Sequence, residues 1–163
     1  MLRPALRVLR KGSLALSSGS LTELLSAVLA GGRSLRFRAR GLSMAPFIKD
    51  GDIVTVAPFG SAGPRTGDIA AFLHPATGKV AVHRIVRAEP GRFLLKGDNL
   101  EESDGAVPAE RMLGLVTRVE RNGAVVRAAP LGGAVVARMS RSGCLRKAVG
   151  AARRAGFRTR KRS

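Results

Sequence analysis

The sequence has few of the residues that most often build covalent links, metal sites and acid–base pairs. Cys144 is the only cysteine among 163 residues, so an internal disulfide is excluded and a thiolate metal site would need a partner chain. Trp and Tyr are absent, and Phe and the aliphatic side chains must therefore fill any core. Histidine occurs twice, at His74 and His83, which leaves two candidates for an imidazole base.

Long apolar runs are also missing. The most apolar stretch near the start, residues 14–30, is interrupted by Ser17, Ser18, Gly19, Ser20 and Glu23. It is too short and too polar to span a bilayer. We therefore expect a cytoplasmic chain with no transmembrane segment.

Acidic residues are absent from the C-terminal end, residues 131–163, which carries ten basic residues. The net charge is +7 over residues 1–40 and +1 over residues 41–130, so the total of +18 lies almost entirely at the two ends. Basic ends are typical of proteins that contact phosphate-bearing surfaces, although a solubilising, partly disordered tail has the same composition. We expect peripheral contact with an anionic membrane and no sequence-specific binding of nucleic acid.

Hydrophobic patterning predicts a mainly β fold in three parts. Residues 1–34 form a basic segment with one short helix, from 21 to about 30, in which Ser20 is the N-cap and Glu23 completes a capping box. Residues 35–130 form the β domain, with strands predicted at 35–40, 53–56, 68–73, 79–86, 92–96, 112–120 and 124–128. Residues 131–163 form a basic tail, helical to about residue 155, whose apolar face comprises Val135, Met139, Leu145 and Val149.

The segment 41–52 carries the candidate nucleophile, Ser43. Pro46 suits the first turn of a short helix, and the following Asp-Gly-Asp at 50–52 is a turn signal. Ser43 would then lie between a strand and a helix, where backbone N–H groups can form an oxyanion hole. A serine that only caps the short helix gives the same pattern, and this stretch by itself favours the cap.

His83 is the candidate base for Ser43. Alternation along the strand 80–86 puts Ala81, His83 and Ile85 on one face, where a partly desolvated imidazole could act as a base or simply pack in the core. His74 lies in a turn beside Pro75, and we expect it to be exposed. Acids that could orient His83 cluster at 97–104, a pattern that equally fits a solvated acidic turn.

Four segments, in the same order, resemble those of type I signal peptidases and LexA-like peptidases. Gly-Leu-Ser-Met-Ala-Pro at 41–46, followed by Gly-Asp at 51–52, resembles the nucleophile segment of that family. Thr-Gly-Asp-Ile-Ala-Ala-Phe at 66–72 resembles the next strand, and Val-His-Arg-Ile-Val at 82–86 resembles the segment with the base. Lys-Gly-Asp-Asn at 96–99 with Asp104 resembles the last segment, and the similarity covers about residues 35–120.

The resemblance implies a LexA/signal-peptidase-like coiled β-sheet domain and a serine endopeptidase that cleaves an extended peptide or protein by acyl transfer. Ser43 would be the nucleophile and His83 the base, with Asp104 orienting His83 and Asp98 as the alternative. The oxyanion or supporting residues would be Leu42, Met44 and Asp98. No cofactor and no metal are expected. The peptide would add as a strand along residues 35–41 and 80–83, with small residues beside the scissile bond.

The sequence departs from much of that family at three points. Bacterial members usually carry lysine where this chain has His83, and histidine there is similar to archaeal and endoplasmic-reticulum signal peptidases; Lys79 would be the base only in a shifted register. Gly41 has no hydroxyl, so the backbone N–H of Ser43 should hold the oxyanion. Residues 1–40 contain neither the membrane helix nor the LexA DNA-binding domain.

Two alternatives to an enzyme remain open at this stage. One is a module of the same fold that grips a peptide without cutting it. The other is a basic protein that binds a membrane or nucleic acid through its ends.

Overall fold

The structure, a computed structural model, describes residues 17–126 and 133–141. The elements in chain order are α1 (Ser18–Ala30), β1 (Leu35–Arg38), β2 (Ile53–Ala57), β3 (Ile69–Leu73), β4 (Val80–Glu89), β5 (Arg92–Lys96), β6 (Ala106–Pro108), β7 (Met112–Arg121), β8 (Ala124–Val126) and α2 (Gly133–Arg141). The predicted mainly β class is confirmed.

The strands form one sheet in which every pair is antiparallel. Their order is β1-β2-β7-β3-β4-β5-β6, and β8 pairs with β7. β1 is a terminal strand and pairs only with β2 among the described residues. The ladder between β4 and β5 begins at Arg84, so residues 80–83 of β4 pair only on the β3 side within residues 17–126 and 133–141. In the part of the chain that the structure describes, two stretches of sheet edge are therefore open.

Apolar side chains fill both faces of this sheet. Phe72, Ile85 and Leu95 belong to a cluster on the face that also carries His83. Val56 and Ala71 lie on the other face, where Leu25 and Leu29 of α1 cover them. The period-two alternation of the strands thus produces two layers of core, with α1 closing one of them.

α1 begins earlier than the sequence predicts. Its N-cap is Ser17, whose hydroxyl accepts a hydrogen bond from the backbone N–H of Ser20 at 3.1 Å. The prediction of Ser20 as cap is wrong, because Ser17 already satisfies the N–H of the third helical residue and lets the helix start one turn sooner. With the start moved, Glu23 no longer occupies the capping-box position.

α2 packs on β4, and its Val136 and Ala137 are fully buried. Of the apolar face predicted for the tail, Val135 is exposed and Met139 is half-buried, so the prediction is wrong at Val135. Leu145 and Val149, and the rest of that predicted helix, lie outside the described residues. The domain boundaries after residues 34 and 130 stay predictions.

One further difference concerns a short element. No strand is predicted between residues 96 and 112, but residues 106–108 form β6, where Val107 is buried against β5. An Asn122-Gly123 hairpin turn joins β7 to β8, with positive φ at both residues. No helix among the described residues is long and apolar enough to cross a bilayer.

Candidate active site

Ser43 lies in the loop that joins β1 to β2, residues 39–52. We call it the nucleophile loop, after its candidate nucleophile. Turns close this loop, with the N–H groups of Phe47 and Ile48 both donating to the carbonyl of Met44. The predicted short helix after Pro46 is therefore wrong. The backbone N–H of Lys49 donates to the Asp52 carboxylate at 2.8 Å, and this bond ends the turn before a regular helix can develop.

Buried side chains anchor the loop on both sides of Ser43. Met44 is buried in a cluster with Ile48, Val54 and other apolar side chains, so the residue after the nucleophile is fixed in the core. Leu42, on the other side, is exposed. Within residues 17–126 and 133–141, the backbone N–H groups of Ser43 and Met44 donate to no protein acceptor, and they are free to bind an oxyanion.

His83 lies in β4 opposite Ala70 of β3, and its imidazole reaches the Ser43 hydroxyl. Ser43 Oγ and His83 Nε2 are 3.0 Å apart, which is hydrogen-bond distance. The His83 side chain is 8% exposed and lies 5.8 Å from the Phe72 ring, centroid to centroid. The imidazole is therefore held in a mostly apolar setting beside the serine.

Asp104 completes the cluster from the loop after β5. Its Oδ2 is 2.7 Å from His83 Nδ1, and its own N–H donates to the carbonyl of Leu95 at 2.9 Å. A carboxylate accepts hydrogen bonds, so in the neutral imidazole the proton lies on Nδ1 and Nε2 presents a lone pair to the Ser43 hydroxyl. This is the tautomer that a general base needs.

Asp98, the other acid considered as a partner for His83, lies elsewhere. It is fully buried and forms a bidentate ion pair with Arg84, with an Arg84 Nη2 to Asp98 Oδ2 distance of 2.7 Å. Arg84 also donates to the carbonyl of Gly67 at 2.8 Å and lies 5.4 Å from the centre of the Phe47 ring. The pair therefore supports the site by joining β4 to the nucleophile loop. Of the two acids, only Asp104 reaches the imidazole.

Asn99 donates hydrogen bonds to the backbone beside Ser43, and Gly97 lies close against it. The sequence analysis assigned neither residue a role. The N–H of Asn99 donates to the carbonyl of Ser43 at 2.7 Å, and its amide Nδ2 donates to the carbonyl of Leu42 at 3.2 Å. A Cβ at position 97 would lie 2.8 Å from the Ser43 carbonyl oxygen. The Lys-Gly-Asp-Asn pattern was noticed, but no sequence feature says what the glycine approaches.

His74 was expected to be exposed, yet it reaches Asp104. Its Nε2 is 3.3 Å from Asp104 Oδ1, and its side chain is 27% exposed. One available signal was overlooked: alternation along β3 puts Ala70, Phe72 and His74 on one face, and Ala70 pairs with His83. His74 is thus on the same face as His83. Lys79 is exposed at the start of β4, and His83 holds the position next to Ser43.

Arg121, at the end of β7, clamps the far end of the nucleophile loop. It makes two hydrogen bonds to the buried Asp52 carboxylate, at 2.7 and 2.9 Å, and a third to the carbonyl of Phe47 at 3.2 Å. Burial alone would raise the pKa of Asp52, but the hydrogen bonds from Arg121 and from the N–H of Lys49 outweigh burial and lower that pKa. Asp52 is therefore charged at neutral pH.

Comparisons with known proteins bear on the whole of this arrangement. The profile of one protein family, described as Peptidase S24-like, matches residues 11–119. That range contains Ser43, His83 and Asp104. No curated protein gave a significant match to the chain. Among the described residues, no group of three or more His, Cys, Asp and Glu side chains is arranged to hold a metal ion.

Proposed function

Since the chain belongs to the Peptidase S24-like family, we propose that it is a serine endopeptidase that cleaves an extended peptide through Ser43 and His83. The observation that carries this proposal is the continuous hydrogen-bonded line from the Ser43 hydroxyl through the His83 imidazole to the Asp104 carboxylate. Nucleophilic catalysis by serine requires such a line, in which a base activates the hydroxyl and a third group orients the base.

Acylation begins when His83 Nε2 takes the proton of the Ser43 hydroxyl. Ser43 Oγ bonds to the peptide carbonyl carbon, and the carbonyl oxygen gains negative charge, which the free N–H groups of Ser43 and Met44 are available to stabilise. His83, now an imidazolium next to Asp104, gives its proton to the leaving amine. The C–N bond then breaks and leaves an ester on Ser43.

Deacylation repeats these steps with water. His83 takes a proton from a water molecule, whose oxygen attacks the ester carbon. The Ser43–acyl bond breaks, Ser43 Oγ takes the proton back from His83, and a carboxylic acid is released. Asp104 takes up no proton in these steps; it orients His83 and stabilises the imidazolium.

The two open stretches of sheet edge suit an extended peptide. Residues 80–83 of β4 run directly into the position of the base, and β1 leads into the nucleophile loop. A peptide that pairs with these edges would lie alongside both functional segments, with main-chain hydrogen bonds supplying affinity. Exposed Leu42, next to Ser43, would contact its side chains.

The test uses the full chain, a library of unstructured peptides and detection of new termini by mass spectrometry. We expect Ser43→Ala and His83→Ala each to lower the cleavage rate by about 10³-fold or more, because neither residue can perform its step without the other. Ser61→Ala, which changes an exposed serine in the loop after β2, is the matched control and should keep full activity.

A phosphonylating serine reagent provides a second measurement. It should modify the wild-type chain once, at Ser43, and should not modify the His83→Ala variant at a comparable rate. Peptide binding without cleavage or labelling would support a non-catalytic module of the same fold instead. Cleavage that survives in Ser43→Ala would rule the assignment out.

A further inference from the structure

Two imidazoles contact the same carboxylate. Asp104 Oδ2 lies 2.7 Å from His83 Nδ1, and Asp104 Oδ1 lies 3.3 Å from His74 Nε2. The Asp104 side chain is only 5% exposed. Both carboxylate oxygens of this acid thus face a histidine, although the mechanism above uses only His83.

The backbone determines which nitrogen of His74 carries the proton. The N–H of Ala76 donates to His74 Nδ1 at 3.2 Å, and a backbone N–H can only donate. Nδ1 must therefore be the unprotonated nitrogen of a neutral His74, and its proton is on Nε2. Nε2, which carries the proton, then faces Asp104 Oδ1 at 3.3 Å, with no positive charge needed on His74.

The hairpin between β3 and β4 fixes the position of His74. Its backbone N–H donates to the carbonyl of Lys79 at 2.9 Å, and its carbonyl accepts from Gly78 at 2.8 Å. The Phe72 ring lies 6.2 Å from the His74 ring and 5.8 Å from the His83 ring, centroid to centroid. His74 and His83 are therefore carried on one rigid unit, and Asp104 is brought to them from a separate loop.

We propose that His74 is a positioning residue, which holds the Asp104 carboxylate in the rotation that keeps Oδ2 in line with His83 Nδ1. This inference rests on the proposed function, since it assigns His74 a part in the same site. His74 does not contact Ser43, so it acts on the reaction only through Asp104. His74, Asp104 and residues 100–103 together line an open cavity of about 510 Å³.

Two substitutions at position 74 separate the ring's two contacts, the hydrogen bond from Ala76 and the approach to Asp104. In His74→Asn, the amide oxygen can take the place of Nδ1 and accept from Ala76, but no donor reaches Asp104. In His74→Gln, the longer side chain can bring an amide N–H to the place of Nε2. We expect His74→Asn to lower kcat about tenfold with KM unchanged, and His74→Gln to stay within about twofold of wild type.

The dependence on Asp104 is tested by a double-mutant cycle. In an Asp104→Asn background, His74→Asn should cause no further loss of kcat, because the group that His74 positions is already altered. If His74→Asn keeps wild-type kcat, or if His74→Gln loses as much as His74→Asn, the contact with Asp104 is not what matters and the inference is wrong.

Nuclear magnetic resonance gives a readout that does not need hydrolysis. The chain has only two histidines, so ¹⁵N-histidine labelling of the full-length protein yields two imidazole signals that can be assigned by substitution. We expect a neutral His74 with its proton on Nε2, and a change in the His83 Nδ1–H resonance in His74→Asn but not in His74→Gln. If wild type does not cleave peptides, the proposed function fails, and these spectra alone decide whether His74 positions Asp104. An unchanged His83 signal in His74→Asn would overturn the inference that His74 is a positioning residue.

Discussion

At Gly97 the loop after β5 passes close to the backbone of Ser43. A Cβ there would lie 2.8 Å from the Ser43 carbonyl oxygen and 2.9 Å from the Leu100 side chain, and the backbone atom cannot move without shifting the nucleophile. We expect Gly97→Ala to lower kcat/KM by up to about 10²-fold, since a displacement of about 1 Å is enough for that. The free energy of unfolding should fall by about 1–3 kcal/mol.

Gly60→Ala is the matched control for that experiment. Gly60 has no neighbour within 4 Å of the added Cβ and no positive φ, so both activity and melting temperature should stay near wild type. Peptide cleavage and thermal unfolding measured on the two variants separate crowding at the site from a general effect of alanine. Full activity in Gly97→Ala would contradict the close approach.

Asp98 contributes to stability through Arg84. Both side chains are fully buried, and removing one partner leaves the other charge without compensation. We expect Asp98→Ala to lower the free energy of unfolding in urea by about 3–5 kcal/mol. Glu89→Ala, which breaks the exposed pair with Arg87, should cost about 1 kcal/mol or less. A loss in Asp98→Ala no larger than in the control would show that the buried pair is not needed.

The sequence predicts the contacts of some site residues but not those of others. Ser43, His83 and Asp104 were chosen because the order and spacing of four segments resemble a known family, and the structure brings the three side chains together. Choosing between Asp98 and Asp104 needed the structure, because both lie in one acidic loop and only the path of the backbone decides which of them meets Arg84. His74 was misjudged because the turn residues around it suggest solvent.

Among the elements, the nucleophile loop has a pH-dependent anchor in Asp52 and Arg121. The pKa of Asp52 is lowered on folding, so the unfolded chain binds more protons and stability rises with pH. The stabilisation by Asp52 is fully present above the pKa of this carboxyl in the unfolded chain, about 3.9. It is lost as pH falls through the lower pKa that Asp52 has in the folded state. We expect Asp52→Asn to lower the free energy of unfolding by about 1.5–3 kcal/mol at pH 7, and by progressively less below about pH 4.

Urea unfolding at a series of pH values measures this difference. Glu110→Gln, which alters an exposed carboxylate, serves as the control and should change stability little at any pH. A cost of Asp52→Asn that is the same at pH 3 and pH 7 would mean that the ion pair with Arg121 does not stabilise the loop.

Most strands could be predicted because alternating or continuous apolar residues, bounded by turn residues, mark them. β2 and β4 are examples, and the observed strands differ from the predicted ones only at their ends. β6 was missed because three residues are too few for a period to be seen. The loop after Ser43 was predicted as a helix because Pro46 favours a first turn, whereas the Lys49–Asp52 hydrogen bond closes a tighter structure.

For the whole molecule, the charge distribution predicts where it contacts an anionic surface. Residues 142–163 carry eight basic residues and no acid, while the buried residues of α2 pack on β4 and are not available to lipid. We expect salt-sensitive binding to vesicles of anionic lipid, with each basic residue near the surface contributing about 1 kcal/mol. Flotation with anionic and neutral vesicles measures it.

Deleting residues 142–163 should abolish this binding and leave peptide cleavage intact, since Ser43, His83 and Asp104 all lie before residue 105. Short DNA should compete for the full-length chain at low salt, because phosphate supplies the same charge. If the full-length chain does not bind anionic vesicles at low salt, the basic tail has another role.

The long loop between β2 and β3, residues 58–68, divides the site between two lengths of chain. A cut after Gly60 would leave Ser43 on one fragment and both His83 and Asp104 on the other. Neither fragment would hold a complete set, and the two could rejoin only if β2 takes its place against β7. Peptide hydrolysis would then occur only after the two fragments have associated. The fold therefore offers a split reporter whose activity depends on assembly of the sheet.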